Sequence, residues 1–288
     1  MNELTRRLKS RLVPGAGLLI PGAANALAGR IIAGAGFEAV YLTGAGVANS
    51  HLGAPDIGLT SVSELAEHVA ALREAVEIPI VADGDTGFGN ALNMRRTVRL
   101  YERAGANAIQ IEDQLFPKRC GHFEGKSVVP KDEMVQKIKA AVDARQDGLL
   151  ILARTDARAV EGFPAAVERM NAYREAGADL LFIEAPVNEA ELAAIPKEVP
   201  GPHIYNMVFG GKTPMLPREK LGAMGFAGIL YANALLQASM IAMKNVAAHL
   251  KEKGSLAGAE ASLISFTGRQ ELVDHARWQE LEKRYVGS

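Results

Sequence analysis

AGANAIQI, residues 104–111, runs from a glycine-bearing turn into a short apolar segment, and the chain repeats this phrase three more times. The other copies are AGFE followed by AVYL (35–42), AGAD followed by LLFI (176–183) and MGFA followed by GILY (224–231). Glycine suits the left-handed residue that ends a helix, and an apolar run without alternation suits a strand covered on both faces. Each copy therefore reads as helix end, turn and buried strand, and the recurrence points to one structural unit used repeatedly. Working outward, GLLIPG (17–22), PIVADGD (79–85), LLILART (149–155) and HIYNMV (203–208) supply further strands and bring the total to eight. Between them, NMRRTVRLYERAG (93–105), KDEMVQKIKAAVDAR (131–145) and AAVERMNAYREAG (165–177) place apolar residues three and four apart, the helix period. Eight strands alternating with helices predict a closed (β/α)8 TIM barrel rather than an open sheet. A polar helical extension, about 263–288, follows the last barrel helix and carries the only tryptophan, Trp278. No composition break marks a second domain, so residues 1–288 read as one barrel domain with that extension.

The 288 residues are 48% hydrophobic, enough for a large core. Lys and Arg number 32 against 33 Asp and Glu, spread along the chain, so there is no basic field for nucleic acid. A single cysteine excludes an intrachain disulfide, and MNELTRRLKSRL lacks the apolar core of a secretory signal, so a cytoplasmic protein is expected. The most apolar stretches, 17–36 and 235–246, are broken by Arg30 or by Gln237 and Lys244, and no membrane helix is expected.

In such barrels the chemistry sits at the C-terminal ends of the strands. The residues ending the apolar runs are Thr43, Asp83 and Asp85, Glu112 and Asp113, Arg154 and Asp156, Glu184, Asn206 and Asn233, and they are expected to converge on one rim. Any one of them alone could be a helix cap or a solvated turn; agreement among seven strands argues for a site. Acidic residues ending two neighbouring strands would crowd carboxylates together, which is costly unless a cation neutralises them. Oxygen-only ligation points to a hard cation, Mg²⁺ first and Mn²⁺ close behind. The six histidines and lone cysteine show no paired ligand spacing, which disfavours zinc. GDTGFGN (84–90) matches neither glycine-rich phosphate motif, so its glycines are expected to let the backbone pass close to the metal. In Lys118-Arg119-Cys120-Gly121-His122, basic neighbours would lower the thiol pKa and make Cys120 a competent acid or nucleophile; an inert cysteine in a basic turn is the other reading.

These residues resemble the isocitrate lyase / phosphoenolpyruvate mutase superfamily. The resemblance is to its short branch of 2-methylisocitrate lyases, 2,3-dimethylmalate lyases, oxaloacetate hydrolases and petal death proteins. The matching phrases are YLTGAGVANSHLGAPDIGL (41–59), VADGDTGFGN (81–90), IEDQ (111–114), PKRCGH (117–122), ARTDA (153–157), EAP (184–186) and NMVFGGKTP (206–214), in order through most of the barrel. The resemblance implies a modified barrel with one C-terminal helix swapped between protomers, and a homotetramer built as a dimer of such dimers. It implies Asp85 as the carboxylate nearest Mg²⁺, with Asp56, Asp83 and Glu112 holding its waters. Thr43, Gly44, Ala45 and Arg154 would bind the pyruvate half of the substrate, with Tyr41 and Asn206 as further binding residues; Asn233, outside the family pattern, could bind a substrate group or equally cap the following helix. Cys120, on a loop that closes over the substrate, would be the general acid, with Lys118, Arg119 and His122 neutralising charge around it and Glu184 completing the polar wall.

The expected reaction is cleavage of the bond between C2 and C3 of a small 2-hydroxy dicarboxylate, giving a 2-keto acid such as pyruvate and a carboxylate. 2-Methylisocitrate lyases typically read CGHRP and carry a glutamate three residues after the asparagine of strand seven. Here the positions are His122-Phe123-Glu124 and Phe209, and YANA (231–234) replaces a Tyr-Pro-Leu-small pattern. A less charged second half is implied, which favours 2,3-dimethylmalate or a related alkylmalate over the 2-methylisocitrate type. Oxaloacetate hydrolysis to oxalate and acetate, phosphorus–carbon bond chemistry and a catalytically silent binding barrel are the alternatives.

Overall fold

The structure, a computed structural model, describes residues 1–121, 123–211 and 213–286. The chain divides into two compact units, Met1–Ala234 and Leu235–Ser288, so the second begins ahead of the extension expected near 263.

The first unit is a closed, all-parallel barrel with its strands in sequence order. They are β1 (Leu18–Ala23), β2 (Val40–Leu42), β3 (Ile80–Asp83), β4 (Ala108–Glu112), β5 (Leu150–Thr155), β6 (Leu180–Ile183), β7 (His203–Asn206) and β8 (Phe226–Tyr231). Every apolar run identified above forms a strand, and all eight are buried along all or almost all of their length because helices cover the outside and side chains fill the inside. The repeated glycines do what the phrase required: Gly36, Gly105, Gly177 and Gly225 have φ of 84°, 97°, 106° and 108°, the left-handed region where a side chain is strained. Helix starts are fixed locally, for example by the capping boxes of Ser61 with Glu64 and Asn90 with Asn93.

Inside the barrel, side chains two residues apart share the interior. One apolar cluster holds Leu18 and Ile20, Tyr41, Val81, Ala108, Leu150 and Leu152, Leu180 and Phe182, Ile204 and Leu230. Leu8 of the N-terminal helix Glu3–Arg11 and Leu12, its C-cap residue, join it and cover the barrel floor, which was not anticipated from the sequence. Asn107 ties that helix down through its amide, which donates to Thr5 Oγ1 at 3.0 Å.

The second unit carries most of the helix Ala234–Lys253 and the helices Phe266–Leu272 and His275–Tyr285, none of which has a buried residue. Ile241, Met243, Ile264, Phe266 and Trp278 are exposed. No helix among the described residues is long and apolar enough to cross a membrane.

Candidate active site

Continuing the inward period of each strand beyond the apolar core leads directly to the polar residues: Val81 to Asp83, Ala108 to Gln110 and Glu112, Leu152 to Arg154, Phe182 to Glu184, Ile204 to Asn206. Strand register then decides who meets whom. Asp83 pairs in register with Gln110, Glu112 with Arg154, and Arg154 with Phe182. Accordingly Gln110 Nε2 donates to Asp83 Oδ1 at 3.3 Å, Arg154 Nη1 lies 3.3 Å from Glu112 Oε2, and the guanidinium lies 5.4 Å from the Phe182 ring centre.

These ends surround a cavity of about 60 Å³. Of the expected site residues, Tyr41, Thr43, Ala45, Asp56, Asp83, Lys118, Arg119, Cys120, Arg154, Glu184, Asn206 and Asn233 line it. Gly44, Asp85 and Glu112 stand one layer back: the Gly44 N–H donates to Asp83 Oδ2 at 3.1 Å, Asp85 faces Lys118 and Glu112 faces Arg154. His122 lies outside the described residues. Asp113, grouped with Glu112 in the expected rim, points the other way. Its carboxylate accepts from Thr155 Oγ1 at 2.6 Å and from the Tyr173 hydroxyl at 2.8 Å, in the layer between strand and helix. Sequence reasoning missed Gln110, Gly121, Phe182, Val208, Leu230 and Ala232 as cavity residues. Gln110 was findable, because a fully buried glutamine in the run AIQI sits two residues before Glu112 and so shares its face.

The acidic wall is electrostatically strained. Burial above all pushes Asp85 up to about 6, with Asp83 and Asp56 adding to the rise and Lys118 opposing it. Burial likewise holds Glu112 well above the usual carboxylate range despite Arg154. Asp85 itself adopts φ 45°, in the strained left-handed region, after Gly84, where a Cβ would come within 2.7 Å of the Gln110 carbonyl oxygen. Asp83 is committed to protein donors, its Oδ1 also accepting from the Asp85 N–H at 3.2 Å. The Lys118 ammonium, only 4% exposed, lies 2.5 Å from Asp56 Oδ1 and 2.9 Å from Asp85 Oδ1. The lysine partly neutralises the acidic set while lining the same cavity as Cys120, and although burial opposes the rise, the facing carboxylates hold its pKa well above the ordinary lysine value.

A divalent cation fits this wall. Among the described residues, Glu112 Oε1 is buried with no hydrogen-bond donor, and the neighbouring carboxylates already draw in a lysine ammonium. No three Asp, Glu, His or Cys side chains among the described residues converge as a cage. A hard ion that keeps most of its waters and takes one or two carboxylates meets both conditions, which is the habit of Mg²⁺.

On the other wall, Arg154 is gripped by three acids: Asp156 at 3.0 Å, Glu112 at 3.3 Å and Glu184 at 3.4 Å. Thr43 caps the helix Gly44–His51, its hydroxyl accepting from the Gly46 N–H and donating to Asn233 Oδ1, both at 3.1 Å. Cys120 is half-buried, and its backbone N–H donates to the Asp56 carbonyl at 3.2 Å, stitching the cysteine loop to the Asp56 loop.

Residues 8–251 match the family model described as phosphoenolpyruvate phosphomutase. The chain is 44% identical over 270 residues to 2,3-dimethylmalate lyase of Eubacterium barkeri, covering 93% of each protein. Among solved structures it is similar to oxaloacetate acetylhydrolase in complex with the inhibitor 3,3-difluorooxalacetate, with TM-score 0.93, 29% identity and coverage of 99% of this chain and 97% of that one. It is also similar to a phosphonopyruvate hydrolase complex with oxalate and Mg²⁺, with TM-score 0.88, 32% identity and coverage of 98% and 99%. By the extent of the family match and by this level of identity, the chain belongs to the phosphoenolpyruvate phosphomutase family, the group that includes carbon–carbon lyases.

Proposed function

We propose that this chain is a carbon–carbon lyase that splits a small 2-hydroxy dicarboxylate of the alkylmalate type into a 2-keto acid and a carboxylate, with Mg²⁺ at Asp85 and Cys120 as general acid. The observation that carries the reading is that one cavity gathers buried carboxylates, a guanidinium and the chain's only cysteine. Asp85 would hold the ion directly, with Asp56, Asp83 and Glu112 around its waters. When bound, Mg²⁺ supplies positive charge beside the 2-hydroxyl oxygen and the adjacent carboxylate.

The chain's own groups do the rest. Arg154 and the N-terminal end of the helix Gly44–His51 bind the carboxylate of the pyruvate half, where fixed donors favour an anion. The 2-hydroxyl proton passes to a base of the acidic wall, the C2–C3 electron pair leaves with the second fragment, and the Cys120 thiol delivers a proton to that carbanion. The closed cysteine loop keeps bulk water from the carbanion.

Size and charge favour a dicarboxylate. At about 10–15 Å³ for each water-sized position, the cavity of about 60 Å³ admits only a few groups beyond the residues now in it. The cations lining it among the described residues are Lys118, Arg119 and Arg154, and two of the three are already engaged by acids. The 2,3-dimethylmalate lyase relative agrees with an alkylmalate, while the oxaloacetate acetylhydrolase structure supports a second reading, hydrolysis of oxaloacetate. The exposed apolar side chains of the second unit support a homotetramer in which a C-terminal helix is exchanged between protomers. The test is a screen of 2,3-dimethylmalate, other alkylmalates, 2-methylisocitrate and oxaloacetate with Mg²⁺, measuring pyruvate and oxalate separately. Pyruvate from an alkylmalate supports the lyase, oxalate from oxaloacetate supports the second reading, and neither from any compound overturns both.

A further inference from the structure

The loop that carries Cys120 has a narrow neck. Gln114 and Val128 form an antiparallel bridge, and the Leu115 N–H donates to the Ser127 carbonyl at 2.8 Å, so the two ends of the segment that carries Cys120 are held side by side. Near the end of that segment, Lys126 turns its ammonium inward, with its side chain only 2% exposed. It lies 2.9 Å from Asp156 Oδ1 and also donates to the Gly121 carbonyl. Gly121 is the residue after Cys120 and is itself pressed onto the site: a methyl group there would lie 2.3 Å from Arg154 Nη2 and 2.7 Å from Glu184 Cγ.

Asp156 is an odd residue to find at the end of β5. It stands at the N-cap of the short helix Ala157–Val160 and makes no side-chain cap bond. Its fully buried carboxylate is spent elsewhere, accepting from Arg154 Nε at 3.0 Å, from Arg154 Nη2 at 3.2 Å and from Lys126 Nζ at 2.9 Å. Its backbone N–H donates to Asp113 Oδ1 at 2.9 Å, and Asp113 is fixed in turn by Thr155 and Tyr173. The anchor is thus rigid, and the same anion serves the arginine of the cavity and the clamp on the loop.

We propose that Lys126 and Asp156 form a buried latch that holds the 115–127 loop closed and sets the position of Cys120 over the cavity. Both are positioning residues, and Asp156 couples loop closure to the orientation of Arg154. The latch goes beyond the proposed reaction and does not depend on its substrate. Breaking a buried ion pair by removing one partner leaves an uncompensated charge, and opening the loop to water is the available relief.

Because the chain has one cysteine, alkylation by iodoacetamide reads this loop without any substrate. Lys126→Met is expected to raise the alkylation rate at least tenfold, and Lys126→Arg, which keeps the charge, to stay within threefold of wild type. Lys131→Met, which breaks an exposed pair with Glu168 a few residues along, serves as the control and is expected to leave the rate unchanged. Asp156→Asn is expected to raise the rate as well, and Lys126→Met combined with Asp156→Asn to exceed the larger single effect by less than twofold, since the two act as one unit. Lys126→Gln, which retains a donor for Gly121, is expected to raise the rate at least fivefold and covers the case in which the methionine variant does not fold. A rate within twofold of wild type for folded Lys126→Met or Lys126→Gln, or multiplicative effects in the double variant, would overturn the latch.

Discussion

Replacing Asp85 with asparagine should make the metal-free protein more stable while removing its response to Mg²⁺. The ordinary pKa of this carboxyl is 3.8 and the fold raises it to about 6, chiefly by burial. The native state therefore binds a proton more tightly than the unfolded chain, and stability falls as pH rises between these two values. Well above pH 6 the loss is complete, and at about 1.4 kcal/mol per tenfold it amounts to about 3 kcal/mol. Asparagine has the shape of the neutral acid and carries none of this penalty. In EDTA the variant should match wild type near pH 4 and exceed it by about 3 kcal/mol at pH 8, a rise in melting midpoint of roughly 5 °C for a chain of this size. The assay is thermal melting with both proteins in EDTA from pH 4 to 8, repeated with Mg²⁺. Wild type should gain about 2.7 kcal/mol when Mg²⁺ is a hundredfold above its dissociation constant, and the variant should not move. A variant that melts at or below wild type at pH 8, or a gap that fails to close toward pH 4, would refute the assignment of Asp85 as a carboxylate kept ionised for a cation.

Two further outcomes are expected from the same geometry. Cys120→Ser should lower turnover by about 10² or more, the usual worth of a positioned proton donor, while the Mg²⁺-induced rise in melting midpoint stays intact; near-normal turnover would remove the thiol from the reaction. Asp113→Ala should cost about 3 kcal/mol or more in urea unfolding, because it strips a buried anion from Arg169, Tyr173 and Thr155 at once; a loss below about 1 kcal/mol would show that this network contributes little.

The strands were legible because a parallel barrel buries both faces, so LLFI and AIQI stand out without any alternation to interpret. The rim was legible only in part, because a polar residue at a strand end does not announce which way it faces. Glu112 and Asp113 are neighbours, and one turns inward to Arg154 just behind the cavity wall while the other holds the helix layer. Counting by twos from Gln110 would have separated them. No such count reaches Lys118 or Lys126, since a loop has no period. Their partners Asp56 and Asp156 lie 62 and 30 residues away in the chain. The floor-covering helix Glu3–Arg11 escaped notice for a related reason: only two leucines, Leu8 and Leu12, mark a role that depends on the open floor of a barrel formed by the rest of the chain.

The parallel register is what turns these residues into a site. With Glu112 beside Arg154 and Arg154 beside Phe182, the guanidinium cannot drift from the acidic wall, and its hydrocarbon-facing side rests on a ring instead of water. The strands alone leave the wall with an excess of buried carboxylate, which is unfavourable in the barrel by itself. The cysteine loop supplies positive charge, from Lys118 to Asp56 and Asp85 and from Lys126 to Asp156, so the same segment that brings the thiol to the cavity offsets part of the electrostatic cost. The charge that makes the barrel mouth suitable for a cation is therefore also what pairs with the segment lying over it.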